Sequence, residues 1–219
     1  KLTNRIHKLI PKCKILIIDD TVNSKISKIY KKKSKVKFII RKNKKGRGSA
    51  VLFGLKKAIQ NPDNKIFVEM DADFSHSPKE LIRNIKFFIK NNCDLLIASR
   101  YLPKSKIKNW SILRRIFSKL ANLFARFFLQ INVCDYTNGF RIYSRRSAKK
   151  IIKDCGKIGD GFIVLSEILL KIYQSKFKIM EIETIFINRV RGESSVNFKL
   201  IIQSFFGLMK LFLIKLRTH

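Results

Sequence analysis

The chain has 219 residues, 46% of them hydrophobic, which is enough for one domain with a substantial core and too little for a second of ordinary size. Lys and Arg number 48 against 15 acids, a formal charge of +33 that draws the protein to polyanions such as anionic lipid surfaces, phosphorylated substrates or nucleic acid. That charge accompanies no RRM, zinc-finger or comparable signature, so a nucleic-acid-binding module is not expected.

In chain order, residues 14–18 form a short isoleucine-rich run that stops at Asp19-Asp20, the profile of a buried strand presenting carboxylates at its C-terminal end. No secretory leader is expected before it. Residues 36–40 and 65–70 repeat the pattern, the latter ending at Asp71, and residues 94–98 form a fourth run ending at Ser99-Arg100. Helices are predicted over 49–60 and 78–90, the second opening on Ser77-Pro78 with Glu80 in its first turn. Strands alternating with helices imply an α/β fold with a mostly parallel central sheet covered on both faces, whose ligands bind beyond the carboxyl ends of the strands. Residues 110–131 place Ile112, Leu113, Ile116, Phe117, Leu120, Leu123, Phe124, Phe127 and Phe128 at helical spacing, opposed by Arg114, Arg115, Lys119 and Arg126. This basic amphipathic helix fits a core-packed position and a membrane-surface position equally. Residues 198–216 are apolar but interrupted by Gln203, Lys210 and Lys215, which leaves runs shorter than the roughly 20 residues of a spanning helix. An interfacial, membrane-proximal helix is expected there.

The strongest local signal is residues 68–76, where a strand delivers Asp71 and Asp73 into the adjoining loop. Carboxylates one residue apart can share a hard divalent cation, Mg²⁺ or Mn²⁺, which typically takes one or two carboxylates plus substrate phosphates. Asp19 and Asp20 offer a second acidic site for a nucleotide base or ribose. Residues 41–50 form a basic loop in which Gly46 and Gly48 allow close approach of a phosphate to a helix N-terminus, although no P-loop or dinucleotide fingerprint is present. Residues 135–141 combine Asp135, Asn138, Gly139 and Arg141 in a composition suited to sugar or phosphate recognition, and Arg189 and Arg191 precede Gly192 on a predicted loop. The four cysteines, Cys13, Cys93, Cys134 and Cys155, show neither a CxxC pair nor metal spacing, so reduced thiols are expected. The histidines His7, His76 and His219 are too dispersed for a zinc site.

Taken in order, Ile18-Asp19-Asp20, Gly46-Arg47-Gly48-Ser49-Ala50, Met70-Asp71-Ala72-Asp73-Phe74-Ser75-His76, Ser99-Arg100-Tyr101, Asp135 through Arg141, Glu167, and Arg189 with Gly192 and Ser194 resemble the polyprenol-phosphate sugar synthases of the family 2 glycosyltransferases, dolichol-phosphate mannosyltransferases in particular. The resemblance covers nearly the whole chain. It implies a GT-A fold over residues 1–197, with 110–131 an interfacial helix and 198–219 a membrane-proximal one. It further implies Asp71, Asp73 and Ser75 around a metal, and Asp19, Asp20, Gly48, Asp71, Ala72 and Asp73 around the nucleotide sugar. Arg100, Arg114 and Arg189 would gather phosphates, with Asp135, Arg141 and Glu167 as further candidates. Asp71, Asp73, Arg100 and Arg189 are the expected catalytic set. The family's opening strand has no counterpart before Lys14, Thr21-Val22-Asn23-Ser24 replaces a glycine-containing turn, and Leu165 and Ser195 stand where a glutamine and a lysine are usual.

The implied activity is inverting transfer of mannose from GDP-mannose to a polyprenyl phosphate at the cytosolic face of a membrane, with a small membrane anchor subunit as a further candidate partner. The alternatives are UDP-glucose as donor, or a catalytically silent membrane-bound partner subunit.

Overall fold

The structure, a computed structural model, describes residues 1–20, 36–41, 46–188 and 198–217, with only the backbone of 198–202. The elements are α1 (Leu2–Leu9), β1 (Ile15–Asp19), β2 (Val36–Ile40), α2 (Arg47–Ala58) and β3 (Ile66–Glu69), then a 3₁₀ turn at Pro78–Glu80 that leads into α3 (Leu81–Lys90). Next come β4 (Leu95–Ser99), β5 (Lys106–Lys108), α4 (Ile112–Leu129), β6 (Arg141–Ser144), α5 (Arg145–Asp154), α6 (Ile163–Gln174), β7 (Ile179–Glu183), β8 (Ile185–Ile187) and α7 (Phe198–Leu216). Every strand and helix expected from hydrophobic patterning is present. The additional strands are three to five residues long, too short for a strong periodic signal.

The largest sheet has the order β3-β6-β4-β7. β7 runs parallel to β4, whereas β6 runs antiparallel to both β3 and β4. Strands β3, β4 and β7 therefore share one direction, and β6 alone is reversed. β1 pairs in parallel with β2, and β5 with β8, as separate ladders. No sequence pattern signals the reversal of β6, yet it decides where the loop before β6 emerges. The first residue of β6, Arg141, lies opposite Glu69 of β3 and Ile97 of β4, so that loop arrives at the C-terminal ends of its neighbours.

β4 is buried on both faces. Leu95 and Ile97 join Tyr143, Leu129 and the inner side of α6, while Leu96 and Ala98 join Phe140, Ile142 and Ile182 under α3. That alternation comes from the two-residue period of a strand and explains why β4 reads as an unbroken apolar run. α4 buries only a narrow strip, Asn122, Ala125 and Leu129, against this core. Most of its other apolar residues face outward, with Ile112 76% and Phe127 72% exposed, while Phe128 is half-buried against the core. α7 packs beside it through Phe128 and Phe212, whose ring centroids are 5.4 Å apart, and through Lys215 Nζ donating to Gln130 Oε1 at 2.8 Å. Phe205, Phe206, Leu213 and Leu216 of α7 are also exposed. No helix among the described residues is long and apolar enough to cross a membrane.

Arg141, a candidate for substrate recognition in the sequence, has a different task in the structure. It is fully buried and donates to three carbonyls, those of Tyr136 at 2.7 Å, Leu165 at 2.8 Å and Asn138 at 2.9 Å. Replacing Arg141 by Met leaves these acceptors without donors, each costing at least ~1 kcal/mol. Urea unfolding of Arg141→Met is expected to show a loss of about 3 kcal/mol or more.

Candidate active site

β3 ends at Glu69, and the chain turns sharply through residues 71–76. Asp73 Oδ1 accepts the Ser75 N–H at 3.0 Å, closing a side-chain turn, and Phe74 adopts φ +66 at its apex. The Asp71 N–H donates to His76 Nδ1 at 3.0 Å. Because Nδ1 accepts, the ring proton of neutral His76 resides on Nε2, which donates to Asn138 Oδ1 at 3.1 Å. His76 is completely buried, stacked on Phe140 and edge-on to Phe186. Burial holds its pKa below the ordinary histidine value, outweighing the pull of nearby Asp71, and keeps the ring neutral.

The Asp71 carboxylate is held from another direction by Arg47, the second residue of the Gly46-Arg47-Gly48 sequence. Arg47 Nε and Nη2 both reach Asp71 Oδ1, at 3.1 and 2.8 Å, and Nη2 lies 3.0 Å from Glu69 Oε1. Glu69 Oε2 in turn accepts from the Tyr143 hydroxyl at 2.7 Å. Burial raises the cost of charging Asp71, but Arg47, together with weaker contributions from other nearby cationic groups, holds the carboxyl below its usual range. Gly139 makes this arrangement possible, since a Cβ there would sit 1.7 Å from Arg47 Nη2.

The third component is the loop entering β6. Asp135 is fully buried and accepts from Arg100 through the backbone N–H at 2.9 Å and through Nε and Nη2 at 2.8 Å each. It also accepts the N–H groups of Thr137 and Asn138. Glu181 of β7 takes the N–H groups of Cys134 and Asp135, and Asn122 of α4 takes that of Tyr136. Asn138 is then anchored by donating its amide to the Ala98 carbonyl. The Arg100 guanidinium also lies 5.3 Å over Trp110 and 5.6 Å from the Phe186 ring centre.

These contacts place the sequence candidates. Asp71, Asp73, Ser75, Arg100 and Asp135 share one edge of the sheet. Arg100 is neutralised by Asp135. Asp20 forms a two-point ion pair with Arg41, at 2.6 and 2.5 Å, and Arg41 extends to Ser49 Oγ and the Gly46 carbonyl. Asp19, at the end of β1, accepts the Arg41 N–H at its carbonyl. Gly48 is buried where a Cβ would come within 2.4 Å of the Gly161 carbonyl oxygen, so the close approach it permits is to the chain itself. Ala72 is exposed beside the two aspartates. Arg114 donates to Asn188 Oδ1 at 2.8 Å and stacks 4.4 Å over Trp110. Glu167 accepts the Gly156 and Lys157 N–H groups and fixes the turn before α6, remote in role from the carboxylate turn. Arg189, Gly192, Ser194 and Thr21 to Ser24 lie outside the described residues.

Asn138 falls in the segment that the sequence marks for sugar or phosphate recognition, whereas patterning does not single out Arg47, Glu69 and His76 as site residues. Glu69 carries a usable signal, standing two residues before Asp71 and so on the same side of an extended chain. Arg47 carries none, because its carboxylate partners lie on another element.

Oxygens for a cation are present at the turn. Asp71 Oδ2 is 3.8 Å from His76 Nε2, and Ser75 Oγ is buried without a hydrogen-bond partner among the described residues. No three His, Cys, Asp or Glu side chains converge there among the described residues. The donor set of Asp71 and Asp73 therefore fits Mg²⁺ or Mn²⁺ completed by phosphate and water, and does not fit a closed all-protein site.

Asp135 also makes stability acid-sensitive. Burial opposes its charge, but Arg100 and the surrounding N–H donors hold its pKa below the usual carboxylate value. A depressed folded-state pKa gives stability that is present above the unfolded value of ~3.9 and is lost as pH falls toward the folded value. Urea midpoints are expected to drop below about pH 4, and Asp135→Asn should be less stable at neutral pH with a flatter acid limb.

Comparisons with known proteins identify the family. The sequence profile of Glycosyl transferase family 2 matches residues 2–152. The chain is 30% identical over 202 residues to polyprenol monophosphomannose synthase of Mycolicibacterium smegmatis, covering 90% of this chain and 75% of that protein. It is 35% identical over 193 residues to dolichol-phosphate mannosyltransferase of Pyrococcus furiosus, covering 86% of this chain and 52%, about half, of that protein. Among solved structures, glucosyl-3-phosphoglycerate synthase from Mycobacterium tuberculosis with Mn²⁺, UDP-glucose and phosphoglyceric acid superposes with a TM-score of 0.64 at 14% identity, over 96% of this chain and 73% of that one. That likeness concerns the fold. With most of its length matched by the family profile and by a 30%-identical relative, the chain belongs to glycosyl transferase family 2.

Proposed function

We propose that the protein transfers mannose from GDP-mannose to a polyprenyl phosphate at a membrane surface. The observation that carries this reading is the Asp71-Ala72-Asp73 turn, fixed at a strand end by Arg47 on one side and His76 on the other, in a chain with mannosyltransferase relatives. Asp71 and Asp73, with Ser75 adjacent, would hold a divalent ion, which supplies charge neutralisation for a departing diphosphate. Asp19 and the neighbouring Asp20–Arg41 pair border the nucleotide side.

In the reaction, an oxygen of the lipid phosphate forms a bond to the anomeric carbon as the bond from that carbon to the nucleotide diphosphate oxygen breaks, with inversion. A phosphate monoester has its second pKa near ~6, so the nucleophile is already anionic at neutral pH and needs no strong general base. Neutral His76, with both ring nitrogens engaged, serves to position Asp71 and does not relay a proton. Catalysis then rests on holding two anionic reactants in register. On the acceptor side a cleft of about 180 Å³ is lined by Arg100, Tyr101, Ser105, Ile107, Arg115 and Lys119. Arg114, tied to the end of β8, adds to the cationic surroundings in this reading, while Arg100 contributes field and shape through its pair with Asp135.

The exposed apolar side of α4 rises from the same cleft and would bring the phosphate of a membrane-embedded lipid to it. This assigns residues 1–197 to the transferase domain and makes α4 and α7 its membrane-facing attachments on the cytosolic side.

Labelled GDP-mannose with polyprenyl phosphate and Mn²⁺ should give a mannolipid. Product only with UDP-glucose would reassign the donor, and no product with any donor would contradict transferase activity. Asp71→Ala with Asp73→Ala should lower the rate at least ~100-fold, comparable to loss of a preorganised electrostatic element. For the membrane face, Phe117→Asp with Phe124→Asp should weaken sedimentation with anionic vesicles at least ~10-fold, since two apolar side chains no longer insert. Undiminished vesicle binding would remove α4 from the membrane contact.

A further inference from the structure

Arg47 is the unusual feature of the site. It stands on the first turn of α2, 24 positions before Asp71, yet its guanidinium is inserted into the carboxylate centre and touches both Asp71 and Glu69. The insertion is built. Gly139 leaves the space that the guanidinium fills, Gly48 lets the helix start press against Gly161 and Val164, and Phe162 lies 5.9 Å beneath the guanidinium. Arg47 Nη1 is buried without a hydrogen-bond partner among the described residues, so the group is aimed by its two carboxylates and by packing, not by solvent. A guanidinium stays protonated in such surroundings, so its charge is permanent.

We propose that Arg47 is a resident cation of the carboxylate centre, which occupies Asp71 Oδ1 and weakens binding of a free divalent ion, so that the ion is captured together with the donor diphosphate. The inference rests on the reading of Asp71 and Asp73 as the divalent-ion site. Its physical basis is charge and occupancy. Glu69 and Asp71 together carry two negative charges, of which Arg47 neutralises one, and it takes the lone pairs of one Asp71 oxygen that an ion would otherwise use. A divalent ion entering alone meets a nearby fixed positive charge. An ion arriving with a diphosphate brings compensating negative charge and further oxygen ligands. The centre would then stay organised between turnovers, since Asp71 and Glu69 have a counter-ion whether or not a metal is present.

The test is Mn²⁺ titration of the full chain by electron paramagnetic resonance, first without nucleotide. Arg47→Met is expected to bind Mn²⁺ at least 10-fold more tightly than the unmodified protein, and Arg47→Lys, which keeps a charge, should stay within a few-fold of it. Gly139→Ala, whose methyl group displaces the guanidinium while Arg47 remains in the sequence, should also tighten binding. GDP should tighten Mn²⁺ binding more in the unmodified protein than in Arg47→Met. Thermal unfolding by circular dichroism selects the variants that are folded. Equal or weaker Mn²⁺ affinity in folded Arg47→Met and Gly139→Ala overturns the assignment of Arg47 while leaving the metal site in place. Absence of Mn²⁺ binding in every form, with and without GDP, overturns both the assignment and the reading of Asp71 and Asp73 on which it rests.

Discussion

The buried ion pair between Asp135 and Arg100 sets the position of Asp71, although it touches none of its atoms. Arg100 leaves the end of β4, and Asp135 begins the loop into β6, so their two-point pairing fixes that loop to the sheet edge. Through the N–H groups of Thr137 and Asn138, the same carboxylate sets the loop's conformation. Asn138 then receives the His76 ring proton, and His76 receives the Asp71 N–H. Gly139, one residue on, opens the space for Arg47. A buried ion pair of this kind is weak evidence for stability, because desolvation offsets much of its attraction. Its value is in specifying a single arrangement.

The topology makes that arrangement available. If β6 ran with its neighbours, the 135–140 loop would emerge at the opposite end of the sheet. Reversed, it delivers an amide, a glycine and a carboxylate to the edge where β3 and β4 present Glu69, Asp71 and Arg100. α4 is coupled to the same place. Asn122, on its narrow buried strip, accepts the Tyr136 N–H and approaches Thr137 Oγ1, while the opposite side of the helix is apolar and exposed. One helix therefore carries an exposed apolar side and, on its buried strip, the hydrogen bond that holds the site loop.

Much of this is legible in the sequence, and the boundary has physical causes. Apolar runs ending in Asp19-Asp20, Asp71 and Arg100 identify strands and the edge where a site forms, because buried strands and polar strand ends leave local patterns. The amphipathic character of α4 is equally plain, whereas its exposure is not, since periodicity cannot tell a core from a membrane. β6 is hidden because Arg141-Ile142-Tyr143-Ser144 is short and polar at both ends. Arg141 and Glu167 look like functional groups by type, but their partners are backbone groups, of Tyr136, Asn138 and Leu165 for one and of Gly156 and Lys157 for the other. Arg47 escapes for the converse reason. Its carboxylate partners lie on another element, and no spacing rule connects the start of a helix to the end of the next strand.

Asp71, held by Arg47, and Asp73 are in the proposed reading the point at which ion and diphosphate would meet. The measurement that addresses this most directly is anomalous diffraction at the manganese edge from crystals grown with Mn²⁺ and GDP. The predicted result is a single strong anomalous peak at Asp71 and Asp73, with the GDP diphosphate on the same ion and Arg47 still paired with Asp71. Bound GDP with manganese elsewhere, or an Arg47 side chain swung away from an ion-filled carboxylate pair, would contradict it.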